Sequence, residues 1–96
     1  MKSEQNIEKY LCRRVKENGG MAIKLVGYTG IPDRLVVANN HIYFVEMKTD
    51  GGRVAPVQLA VHLRLRKMGH DVRVIWSYDG VNNFIAEVFN HVYKNW

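Results

Sequence analysis

The chain has 96 residues, 47% hydrophobic and 24% charged, with 14 Lys and Arg against 9 Asp and Glu and a net charge of +5. A chain this short makes one domain (1–96) near the lower limit for a self-sufficient core, so self-association is a natural expectation. Cys12 is the one cysteine, which excludes a disulfide or a cysteine-based zinc site. No signal peptide or membrane-length apolar run is present, so the chain reads as cytoplasmic, and its basic balance suits a polyanion, nucleic acid first.

Taken in order, residues 3–18 predict a helix. Ser3 can act as N-cap, Ile7, Leu11 and Val15 recur at helical spacing beside Tyr10 and Arg14, and Gly19-Gly20 stops the pattern. Glu4 and Glu8 lie four apart on one face of that helix. Residues 21–28 predict a strand, with Met21, Ile23 and Leu25 alternating against Ala22, Lys24 and Val26. Tyr28-Thr29-Gly30-Ile31 is a loop in which Gly30 permits a close backbone approach, and Pro32 biases Ile31 to an extended form.

Residues 33–48 predict a β-hairpin: Leu35-Val36-Val37, a turn at Asn39-Asn40, then Ile42-Tyr43-Phe44-Val45. The start of one antiparallel strand lies beside the end of the next, which brings Asp33 to Glu46 and Lys48. Side chains two apart share a face, so Glu46 and Lys48 point one way and Met47 the other. Two carboxylates and an ammonium converge at one end of a small sheet.

After a turn at residues 49–53, Pro56 to Met68 predicts a second helix, with Val57, Ala60, Val61, Leu65 and Met68 as its apolar stripe and Gln58 in its first turn. Arg64, Arg66 and Lys67 form a basic flank that could face phosphates or simply water. Residues 71–76 predict the last strand, and Tyr78-Asp79-Gly80 a turn. From Asn82 to Trp96 a terminal helix is expected, carrying Phe84, Ile85, Val88, Phe89, Val92, Tyr93 and Trp96. That apolar arc is wider than one side of a small sheet requires, which suggests a docking surface for a second copy. His41, His62, His70 and His91 have no metal-ligand spacing and read as surface or internally satisfied residues.

Pro32-Asp33, then about a dozen residues, then Glu46-Met47-Lys48 resembles the PD-(D/E)XK nuclease superfamily. With the helix glutamate Glu8, Gly30-Ile31-Pro32-Asp33, Val45-Glu46-Met47-Lys48 and Gln58, the pattern is similar to the VRR-NUC family, in particular its small stand-alone phage and bacterial members. The resemblance implies an α/β restriction-endonuclease-like core, αβββαβ with a mixed sheet flanked by helices, plus a C-terminal helix. It also implies a metal-dependent endodeoxyribonuclease using Mg²⁺ or Mn²⁺. Asp33 and Glu46 would be carboxylate ligands, with the Met47 backbone carbonyl and Glu8 completing the set. Lys48 would position the attacking water and offset transition-state charge, and Gln58 would orient Lys48 or that water.

Lys24, Gly30, Arg34, Arg53, Arg64 and Lys67 are the candidate nucleic-acid contacts. Stand-alone relatives imply a homodimer acting on branched DNA, a four-way (Holliday) junction above all, without a membrane or a small-molecule substrate. The competing readings are a non-catalytic nucleic-acid-binding module and a nuclease for flaps or plain duplex, including a sequence-specific one. An HNH-type site is disfavoured because Asn39-Asn40-His41 and Asn90-His91 lack a second histidine at a fitting distance.

Overall fold

A computed structural model describes residues 3–90, and His91, Val92, Tyr93 and Trp96 lie outside the described residues. The elements run α1 (Glu4–Glu17), β1 (Met21–Lys24), β2 (Arg34–Ala38), β3 (His41–Met47), α2 (Pro56–Lys67), β4 (Asp71–Ile75) and α3 (Tyr78–Asn90). The strands form one mixed sheet in chain order. β1, β2 and β3 pair antiparallel, and β4 joins β3 in parallel after the α2 crossover. This is the expected α/β core, αβββαβ, with an added helix.

Local chemistry accounts for the boundaries. The Ser3 hydroxyl accepts from the Asn6 N–H at 3.0 Å and starts α1. The hairpin turns through Asn39 at a φ of 59°, in the left-handed region that asparagine tolerates. β1 is shorter than the sequence suggests: its ladder ends with Leu25 N–H donating to the Asp33 carbonyl, after which the chain turns away through Gly27 at φ 90°. Tyr78-Asp79-Gly80 is the first turn of α3 rather than a free turn. Ser77 caps it, its hydroxyl accepting from Gly80 N–H at 3.0 Å, and Asp79 lies where a helix N-terminus favours negative charge.

One face of the sheet is covered by α1 and α3. Ile7, Leu11 and Val15 of α1 meet Val36, Ala38, Tyr43, Val45, Met47 and Ile75 of the sheet, and Val81, Phe84, Ile85, Val88 and Phe89 of α3 close the core. The described part of the α3 arc is therefore spent inside the chain, and the rest of the expected docking arc, Val92, Tyr93 and Trp96, lies outside the described residues. Part of the opposite sheet face, over β1 to β3, is apolar and exposed among the described residues. Met21, Val37 and Ile42 form one cross-strand row, and Ile23, Leu35 and Phe44 a second. Met21, Ile23 and Ile42 are 60%, 41% and 47% exposed.

α2 packs on β4, and the line it turns inward differs from the predicted stripe. Gln58, Val61, His62 and Leu65, at helical spacing, are the sheltered residues, while Val57, Ala60 and Met68 are exposed. Gly30 seats the preceding loop on this helix. It has φ 87°, and a Cβ there would lie 2.7 Å from the Val57 carbonyl oxygen.

Candidate active site

The β2–β3 register carries the site. Arg34 pairs with Val45, so one step outward Asp33 lies opposite Glu46. Pro32, fully buried, delivers the chain into β2, and Asp33 Oδ2 accepts from the Met47 N–H at 2.7 Å. The fixed φ of proline and this short charge-assisted bond hold the carboxylate at the end of the hairpin. Met47 turns its side chain into the core, where it is fully buried. Period-two alternation accordingly sends Glu46 and Lys48 to the other face, as the sequence predicts.

Glu46 is 1% exposed, which is costly for a carboxylate unless it is paired or bound to a cation. The Gln58 side-chain amide donates to Oε2 at 3.1 Å, and Lys48 Nζ lies 3.5 Å from the same oxygen. Gln58 also ties down the start of α2, its Oε1 accepting from the Ala55 N–H at 2.9 Å. Its side-chain amide is therefore directed at Glu46, the neighbour of Lys48 on the same face. Burial first, and then the charge of Asp33, push the Glu46 carboxyl up to about 7, with Lys48 pulling the other way.

His62, one helical turn after Gln58, completes this cluster, which the sequence pattern does not reveal. It is 1% exposed, with Nε2 3.5 Å from Glu46 Oε1. Neither ring nitrogen nor Glu46 Oε1 has a hydrogen-bond partner among the described residues. Burial lowers the His62 pKa, and the charges of Arg66 and Lys48 add to that effect against the opposing charge of Asp33. Its spacing of four from Gln58 is the one signal the sequence holds.

Glu8 stands apart from this group. Its carboxylate accepts from Arg34 Nε at 2.6 Å and from Lys24 Nζ at 3.0 Å, on the sheet face covered by α1. Burial raises its pKa, but the bonds to Lys24 and Arg34 outweigh that and leave it lowered. Lys24 and Arg34 thus share one carboxylate, which offsets one of their two charges, and Arg34 also reaches the Ala22 carbonyl. Gly30 faces α2 rather than an open phosphate site. Arg64 donates to the Tyr28 hydroxyl at 3.3 Å, and Arg53 and Lys67 are exposed.

The donor set suits a hard divalent cation. Among the described residues no three His, Cys, Asp or Glu side chains gather as a self-sufficient metal cage. Mg²⁺ does not require one, since it retains several waters and is held through one or two carboxylates. Asp33 and Glu46 provide two, side by side, with the Lys48 ammonium paired to Glu46. An unpartnered buried carboxylate oxygen and a carboxyl pushed up to about 7 are the marks of a site short of positive charge.

No family model matches the chain. It is 47% identical over 79 residues to "Putative nuclease p44" of Acyrthosiphon pisum secondary endosymbiont phage 1, a match covering 79% of this chain and 85% of that protein. It is also similar to a solved structure described as a VRR_NUC domain, with 37% identity, a TM-score of 0.79, and coverage of 85% of this chain and 92% of the other. Shared sequence, shared fold and the Asp33–Glu46–Lys48–Gln58 grouping agree, and the chain belongs to the VRR-NUC family of nucleases.

Proposed function

We propose that this nuclease is a Mg²⁺- or Mn²⁺-dependent endodeoxyribonuclease acting on branched DNA, with the four-way junction as its preferred substrate and a homodimer as its working form. The observation that carries the reading is the meeting of Asp33, Glu46, Lys48 and Gln58 at one end of the β2–β3 hairpin.

Asp33 and Glu46 would hold the ion, with the Met47 carbonyl as a further oxygen. When bound, the ion supplies an activated water and neutralises charge on the phosphate and leaving oxygen. Gln58 keeps the Glu46 carboxylate turned to the site, while Met47 N–H does the same for Asp33. Lys48, its side chain only 12% exposed, offers a positioned ammonium that orients the attacking water and offsets the transition-state charge. Glu8 acts one step removed, keeping Lys24 and Arg34 ordered beside the hairpin end. Exposed Arg53 and Lys67, with Arg64, give backbone contacts on DNA.

The open sheet face supports the dimer. Two apolar rows across β1, β2 and β3 form a contiguous patch of the kind that marks a protein interface, and a two-fold copy presents two sites to two strands. The exposed cations Arg53 and Lys67 suit contacts to the phosphate backbone, which favours recognition of shape and backbone.

The test is cleavage of end-labelled four-way junction, flap and linear duplex of matched sequence with Mg²⁺, Mn²⁺ or EDTA, alongside sedimentation to measure mass. Paired cuts on the junction that require metal, from a species of twice the chain mass, are expected. Metal-independent binding without cuts would leave a nucleic-acid-binding module in place of the enzyme.

A further inference from the structure

The VRR-NUC motif residues leave His62 without a role, yet among the described residues it is one of two polar or charged side chains in the buried set, the other being Glu46. Both of its nitrogens and the facing Glu46 Oε1 are buried without a hydrogen-bond partner among the described residues. Three unsatisfied atoms in one place are unusual, because each forfeits its hydration and gains nothing in return. Their arrangement is specific. Gln58 and His62 are four apart on the sheltered line of α2, and each addresses a different oxygen of the same carboxylate: Gln58 Nε2 is 3.1 Å from Oε2, and His62 Nε2 is 3.5 Å from Oε1.

We infer that His62 is a positioning residue, donating its Nε2–H to Glu46 Oε1 so that Gln58 and His62 together fix the plane of the carboxylate that holds the divalent ion. This rests on the metal reading of the Asp33–Glu46 pair. A neutral imidazole has one N–H to give, and a shift of about 0.5 Å with a small rotation of the ring brings the 3.5 Å separation to an ordinary hydrogen bond. Glu46 keeps its remaining lone pairs for the ion, and its rotamer no longer has to be fixed at the moment of binding. Groups that orient a ligand in this way commonly change metal affinity by roughly 10–100-fold. A histidine serves here because its ring fills space on the buried line of α2, beside Val61, and still carries a donor as far as the carboxylate.

The test is calorimetric titration of Mn²⁺ into the DNA-free protein, with urea unfolding in EDTA run in parallel. His62→Leu fills the space without a donor, His62→Gln puts an amide N–H where Nε2 stands, and His62→Asn puts one at the Nδ1 position, short of Glu46. Leu and Asn are expected to weaken Mn²⁺ binding about tenfold or more, and Gln to recover most of that loss, whatever the three do to unfolding without metal. Should Leu prove unable to fold, Gln against Asn decides. Wild-type affinity in Leu or Asn, or equal losses in Gln and Asn, would overturn the role of His62 while leaving the metal reading intact. A wild-type protein that takes up no Mn²⁺ would overturn both.

Discussion

The buried Glu46 carboxylate should make the site a liability to the fold until a cation arrives, and Glu46→Gln measures this. The carboxyl stands at about 7 rather than 4.5, because burial and then Asp33 disfavour its charge. A folded-state pKa raised above the unfolded one gives stability that is fully present below pH 4.5 and lost as pH rises through about 7. That interval corresponds to about 3 kcal/mol at pH 8. Glutamine keeps the shape and accepts from Gln58 with its oxygen, but carries no charge to bury. Glu46→Gln is therefore expected to be more stable than wild type by about 3 kcal/mol in EDTA at pH 8 and by about 1 kcal/mol or less at pH 5, while losing cleavage. His62 titrates in the same range with the opposite sign, its lowered pKa costing stability as pH falls below 6.5. It is present in both proteins, so its own burial contributes to each, while its contact with Glu46 at 3.5 Å is part of the difference between them. Urea unfolding midpoints across pH 5 to 8 provide the readout. A variant less stable than wild type at pH 8, or a difference that does not grow with pH, would refute the argument that Glu46 is held against its charge.

The same logic predicts that metal affinity rises with pH up to about 7 and then levels off, since the ion must displace the Glu46 proton; Mn²⁺ titrations at pH 5.5, 6.5 and 8 check this. Lys48→Ala should reduce single-turnover cleavage by roughly 10²–10⁴-fold, with DNA affinity in EDTA little changed. Gly30→Ala should lower the urea midpoint by the equivalent of about 1–3 kcal/mol, because the residue has φ 87° and its new methyl would meet the Val57 carbonyl at 2.7 Å. Ile23→Lys with Ile42→Lys should give a monomer in sedimentation that still unfolds cooperatively, at a midpoint no longer dependent on protein concentration, both positions being exposed on the open sheet face.

The hairpin and its site are legible in the sequence because strand geometry has a period of two and nothing else needs to be known. Once Asp33 and Glu46 flank an Asn-Asn turn, their juxtaposition and the opposite facing of Met47 follow. The α2 packing is not legible. A hydrophobic count favours Val57, Ala60 and Met68 over Gln58 and His62, but the helix rests on β4 and the latch from Gln58 to Glu46 turns the polar line inward. The ion pairs of Glu8 are not legible either, because helix position alone cannot reveal its neighbours. The β1–β2 register pairs Lys24 with Arg34 beneath it and supplies two cations at once. The α3 arc reads as an interface because the depth to which α1 and α3 close over the sheet is a tertiary fact.

The most direct test of the central claim is single-turnover cleavage of a labelled four-way junction by wild type, Asp33→Asn and Lys48→Ala, each with Mg²⁺ and with EDTA. In Asp33→Asn the side-chain amide oxygen can still accept from the Met47 N–H, so the hairpin end stays formed. The account predicts cutting by wild type with Mg²⁺ alone, and a rate lower by roughly 10²-fold or more in either variant. Cutting that survives EDTA, or that persists undiminished in Asp33→Asn, would contradict a metal-dependent nuclease centred on Asp33, Glu46 and Lys48.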